Sequence, residues 1–320
     1  MRARLIRITG VDLNLFEFDL DLTWACLFLN ADGEVYGRYG GRDAKGADGR
    51  NTLEGLHYAM AAALDKHRKK IPGMRPPQEA PLYVEKLPSG RQAKGCIHCH
   101  QAKEIIRHEK MQGGTWSRDE VYTFPLPENI GIVVDLKRGN VVDKVLPGSL
   151  AAKVGVQSGD VLDRIEGKTI ASFADIQYAL HKAPLTGDLG ISWAHEGKPM
   201  SATLHVTKGW KKTNITWRPS LLDMLPALTI YGSDLNVKER MALGLMEKSL
   251  AFRQGTPVHP QALAMGVREN DIVLGVDGLK LEMTVDQFLG YVRQNYLVGE
   301  RLTLNLIRDG KRIDLPVKLK

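Results

Sequence analysis

Hydrophobic and polar positions alternate along the opening residues Met1–Gly10, where Arg interleaves with Leu and Ile, and the period of two predicts a strand over Arg4–Ile8. A second, strongly apolar strand is predicted over Leu22–Asn30. The turn Ala31–Glu34 carries Asp-Gly, a hairpin signal, and Val35–Tyr39 pairs back. Gly40–Gly49 is a loop rich in glycine and charge. Thr52–His67 then places apolar residues at helical spacing, with Asn51 as the expected cap. Gln101–Met111 also reads as helix.

The second half repeats itself. Ala152–Leu162 and Leu263–Val273 align at one offset of 111 residues, which carries Gly155 to Gly266, Val156 to Val267, Asp160 to Asp271 and Gly167 to Gly278. Each copy predicts the same series. A short helix (Ser149–Lys153 or Pro260–Ala264) ends at a glycine suited to a left-handed cap. A strand follows (Val161–Ile165 or Ile272–Val276), then a Glu-Gly or Asp-Gly turn. A helix comes next (Phe173–His181 or Val285–Arg293). A hairpin closes each copy, Leu189–Ala194 with Met200–Val206 and Leu302–Ile307 with Ile313–Leu319.

This order of elements resembles the bacterial PDZ domain over about Pro127–Thr207 and Leu228–Lys320. Such domains take an extended peptide as an added strand at a sheet edge, with its terminal carboxylate held by backbone amides of a glycine-containing loop. The resemblance implies that this loop is Asn129, Ile130, Gly131 and Ile132 in the first copy, leading into the strand Val133–Leu136. In the second it implies Met241–Leu245, with Leu243, Gly244 and Leu245 as its core, leading into a strand over Glu247–Leu250. The alternative is that either module is a spacer whose loop glycine serves chain geometry alone.

The chain of 320 residues has room for two or three domains. A hydrophobic fraction of 43% with 25% charged residues is that of a globular protein, and no apolar run is long enough to span a membrane. The net charge of +7 raises nucleic acid as a partner, but the charges are dispersed. The densest run, His67–Lys70, closes a helix whose dipole it complements, so no nucleic-acid partner is expected. No Gly-x-Ser-x-Gly sequence occurs, and no protease triad is expected.

Three cysteines do not make a disulfide framework. Cys26 lies in an apolar strand. Cys96, Cys99 and His100 form Cys-x-x-Cys-His, the spacing at which two thiols bond adjacent vinyl groups of a c-type haem and the histidine ligates its iron. Two other chemistries share these residues. Cys96 and Cys99 with His98, His100 or His108 are candidate zinc ligands, and the thiol pair alone is a candidate redox dithiol. His108 and Met111 reach a distal haem face only if the chain folds back.

Taken together, the phrases Asp12–Trp24, Phe28–Gly33, Tyr36–Gly40 and Cys96–Gln101, with the two modules, resemble a bacterial family of thioredoxin-like/PDZ proteins, some of them selenoproteins. The resemblance implies an α+β, multidomain chain. A partial thioredoxin-like α/β lobe would span residues 1–70, a thiol-bearing linker 71–126, and PDZ-like β-rich domains 127–210 and 211–320. It implies an exported, periplasmic protein that binds peptide or protein C-termini, with a redox centre at Cys96, Cys99 and His100. In the family a Cys or selenocysteine stands upstream of the matching strand. Here that place falls at or before Arg2, so the expectation is that the chain begins late.

Overall fold

The computed structural model describes residues 3–74, 79–93 and 95–320, so Met1 and Arg2 of the alternating opening segment lie outside the described residues. The architecture is mixed α+β with several sheets, and it divides into two compact units, Met1–Ser220 and Leu221–Lys320.

In the first unit residues 3–8 belong to no strand, where one was expected over 4–8. A lone amphipathic segment joins a sheet only if an edge is offered to it. β1 (Cys26–Leu29) and β2 (Val35–Tyr39) form an antiparallel hairpin. α1 (Leu53–Arg68) follows, and its cap is Thr52, whose hydroxyl accepts from the Gly55 amide at 2.9 Å. Asn51, the expected cap, instead donates its side-chain amide to the Gly41 carbonyl. Residues 1–70 thus supply a two-stranded sheet and one helix, less than the sheet of a complete thioredoxin-like fold.

After a short α2 (Pro88–Arg91), α3 (Cys99–Gln112) buries Ala102 against Ile8, Val11, Leu13, Val84 and Ile97. The first module then runs β3 (Ile132–Val134), β4 (Val142–Val145), α4 (Leu150–Lys153), β5 (Val161–Ile165), β6 (Lys168–Thr169), α5 (Phe173–Lys182), β7 (Gly187–His195) and β8 (Lys198–Val206). β3 pairs with β4, and the order of the larger sheet is β6-β5-β7-β8. The predicted turns are present: Glu166 and Gly167, like Glu196 and Gly197, take positive φ, as a tight two-residue hairpin turn demands. Alternate residues of these strands enter a core with Phe173, Ile176 and Leu180 of α5.

The second unit holds β9 (Gly232–Asp234), α6 (Val237–Ala242), β10 (Phe252–Gln254), α7 (Pro260–Ala264), β11 (Ile272–Val276), α8 (Val285–Asn295), β12 (Arg301–Arg308) and β13 (Lys311–Lys318). Its single sheet has the order β13-β12-β11-β10-β9. One face packs Phe252 and Val273 against Phe288 and Val292 of α8. The other face carries Leu235, Ala251, Ile272 and Ile307.

Candidate functional site

Peptide addition needs a strand with an unpaired edge and a helix beside it. In the first module β3 has that edge. The Gly131 carbonyl accepts from the Leu146 amide, Val133 lies opposite Lys144, and the Asp135 amide donates to Val141. Backbone groups alternate in direction along a strand, so those of Ile132 and Val134 point away from β4. The turn Pro127–Ile130 leads in, and Gly131 follows at φ +94°, packed so closely on Ser149 that a Cβ would collide with that side chain.

The structure brings Asn129, Ile130, Gly131 and Ile132 onto one turn, with Ile130 and Ile132 fully buried. Asn129 is committed elsewhere: its side-chain amide donates to the Trp210 and Lys212 carbonyls at 2.8 Å each. The Gly131 amide donates to Glu128 at 3.0 Å within the turn. Phe124 stacks on His181 of α5 at 4.3 Å, and its carbonyl accepts from Gln177. Burial, with the cations Lys182 and Lys211 nearby, pushes the His181 pKa down to about 3.

The second module departs from expectation. Leu243, Gly244 and Leu245 do not form a loop before an edge strand. They close α6, with Gly244 at φ +69°, and Leu243 and Leu245 pack on the sheet face that carries Leu235, Ala251 and Ile272. Residues 247–250 are not a strand, and the strand begins at Phe252. The physical reason is burial: these leucines cover the side of the sheet opposite α8.

The strand that answers to β3 is β9, since each pairs antiparallel with the strand that precedes the short helix. The Tyr231 carbonyl accepts from Gly255 and the Leu235 amide donates to Ala251, so the backbone groups of Gly232 and Asp234 face the open edge. α8 stands alongside, its Val285 amide bonded to the Asp234 carboxylate at 3.1 Å. Before β9, the amides of Thr229, Ile230 and Tyr231 donate to no protein acceptor among the described residues. The Thr229 hydroxyl is buried there without a partner. A sequence signal for this exists. Asp135-Leu136 follows β3, and the same pair, Asp234-Leu235, stands at the end of β9, 99 residues on. The α6 insertion breaks the 111-residue offset and hides it.

At the thiol motif, Cys96 is exposed and Cys99 half-buried at the start of α3, and both are free. Burial raises the Cys99 pKa. Ile97 between them is sunk in the core, and the rings of His98 and His100 stack at 6.1 Å. His108 and Met111 lie farther along the same helix. The helix runs unbroken from Cys99 to Gln112, so the chain does not fold back to carry His108 or Met111 to the far side of a group held at His100. Among the described residues no three of His, Cys, Asp and Glu gather as a metal site.

A PDZ-domain family model matches residues 141–186. No curated protein matches the chain. Similar solved structures include a serine endoprotease from Yersinia pestis, 18% identical over 37% of this chain and 39% of that one, with a TM-score of 0.26. They also include the HtrA-type protease AlgW with a tripeptide (11% identical, 52% and 55% covered, TM-score 0.28) and with a decapeptide (14%, 52% and 51%, 0.26). The chain thus spans about two-fifths to just over half the length of these structures. The first module contains a PDZ domain, a peptide-binding fold. Among the described residues no helix is long and apolar enough to cross a membrane.

Proposed function

We propose that this protein binds the free carboxyl ends of extended peptides by strand addition, and that the second module's β9–α8 groove is its open site. The observation that carries the reading is the unpaired edge of β9. Gly232 and Asp234 point their backbone groups outward, and the unpartnered amides of Thr229, Ile230 and Tyr231 precede them. An incoming strand would satisfy the edge, and the three amides with the Thr229 hydroxyl would receive a carboxylate. Leu289 of α8, half-buried at the edge of the core, would form the apolar wall. In the first module Ile130, Gly131 and Ile132 would form the equivalent cradle, with Asn129 as its brace.

A phage-displayed library of random decapeptides with free C-termini, panned on the full chain, tests this. The best peptide, labelled and titrated, is expected to lose at least tenfold in affinity when its C-terminus is amidated or when Leu289→Lys is introduced. Equal affinity in both cases would sink the proposal.

A second reading rests on two free thiols, the exposed Cys96 just before a helix and the half-buried Cys99 at its start, with His100 on the same helix. We propose them as a redox centre in a protein working outside the cytoplasmic membrane. They would be either thioether anchors of a c-type haem, with His100 as proximal ligand, or a bare dithiol. The haem when bound would supply one-electron chemistry. Natively purified protein with two alkylatable thiols and no Soret absorption would exclude the haem form.

A further inference from the structure

The first module's groove has three sides: the turn before β3, the far end of β3, and the first turn of α5. One loop of the chain's own N-terminal region touches all three. Arg50 Nη2 bonds Glu128 of the turn at 2.5 Å, and the Arg50 guanidinium lies 4.9 Å from the ring centre of Phe173, the first residue of α5. The Thr52 hydroxyl, besides capping α1, donates to the Leu136 carbonyl just beyond β3 at 3.1 Å. Gly41 lies so close to Phe173 that a Cβ would collide with the ring. Arg50 is held from behind by Asp43 at 2.8 Å, and its side chain is nine-tenths buried.

The neighbouring strand reinforces this closure. The Arg38 amide of β2 donates to Asp175 at 2.9 Å, and its carbonyl accepts from the Ser172 hydroxyl at 2.5 Å, so the N-terminal end of α5 holds one strand of the chain already.

The composition of the loop decides what kind of closure this is. From Gly41 to Thr52 it holds glycine, alanine, Asn, Thr and charged residues, and not one large apolar side chain. A permanent interface commits aromatic or aliphatic anchors to the pocket it fills. This one commits the Arg50–Glu128 ion pair and hydrogen bonds, and no apolar anchor that a displacing ligand would have to replace. The Ile132 and Val134 edge groups gain no backbone partner from it.

We infer that residues 41–52 act as a displaceable internal cover over the first module's peptide groove, latched by Arg50 on Glu128. The two modules then differ in state: the second groove is open and the first opens when a ligand with an apolar end displaces the cover. This does not rest on the second module's binding, since the latch and its groove belong to the first unit alone.

Hydrogen exchange on the full chain tests the latch, in Arg50→Ala and separately in Glu128→Gln. Each is expected to exchange the Lys45, Gly46 and Asn51 amides, bonded within the loop, at least tenfold faster than the unmodified chain, with β7 and β8 unchanged. In a Leu289→Lys background, each is also expected to capture at least tenfold more of a phage-displayed library of random decapeptides with free C-termini. Unchanged exchange, unchanged capture, or a rise spread evenly over β7 and β8 overturns the inference. The last of these marks Arg50 as a brace of the fold.

Discussion

Arg218 sets Nη1 at 2.8 Å from both carboxylate oxygens of Asp19, and each side chain is 2% exposed or less. The pair belongs to a larger sealed group. Asp21 accepts from Arg218, Lys103 and Ser220, while Arg218 and Lys103 also reach the backbone carbonyl and hydroxyl of Thr123. Burial works against the Asp21 charge, yet Lys103 and Arg218 hold its pKa far below the ordinary carboxylate range. Lys103 stands on the helix that begins at Cys99, so the cluster anchors the thiol-bearing helix to the first unit. Removing one partner leaves a buried charge unanswered. Asp19→Asn is expected to cost about 3–5 kcal/mol in urea unfolding. Joint replacement with Arg218→Met should cost less than the sum of the two single changes.

His181 makes the first unit sensitive to acid. Its pKa of about 3 lies below the 6.5 of an unhindered imidazole. Between those values the unfolded chain binds a proton that the folded chain refuses, so stability falls as pH drops below 6.5. Glu17 at 3.6 Å is the one nearby anion in contact with the ring among the described residues, opposing the surrounding cations. Thermal melts from pH 7 to 4 should show a steeper loss for the unmodified chain than for His181→Gln. Parallel curves would refute this.

The two loop glycines should answer differently to alanine. Gly131 combines φ +94° with a collision against Ser149, and Gly131→Ala is expected to cost about 2 kcal/mol or more. Gly244, at φ +69°, faces open space, and Gly244→Ala should cost about 1 kcal/mol, the strain of a left-handed cap alone. Chemical denaturation of each variant gives the comparison.

The Thr229 hydroxyl is buried and unbonded in the ligand-free chain, so Thr229→Val should leave stability unchanged or slightly higher. If the hydroxyl receives the peptide carboxylate, the same change weakens the best panned peptide about tenfold, the loss of one hydrogen bond to a charged group. Destabilisation with unaltered affinity would assign Thr229 to the fold instead.

Thiol reactivity should follow exposure. The thiolate is the nucleophile, and burial raises the Cys99 and Cys26 pKa while Cys96 lies open. Brief alkylation read by peptide mass spectrometry is expected to label Cys96 first. Equal rates at all three would contradict the burial order.

What the sequence determined by itself was local. Glu196-Gly197 and Asp309-Gly310 mark hairpin turns because two successive positive φ values are required there, and alternation or helical spacing brings β5, β11, α5 and α8 within a residue or two of their predicted bounds. The first module's loop, Asn129–Ile132, came from the resemblance rather than from any periodicity, and the structure adds that its Gly131 takes φ +94°. Long-range contacts decided the rest. Asn51 is the expected cap until the Gly41 carbonyl claims its side chain, and Thr52 caps the helix instead. Leu243–Leu245 resembles a binding loop until the sheet face beneath it needs covering, which leaves β9 as the edge strand. Arg50 finds Glu128 across 78 residues of chain. No periodicity encodes such a meeting, because it depends on which surfaces remain after each element has buried its own apolar face.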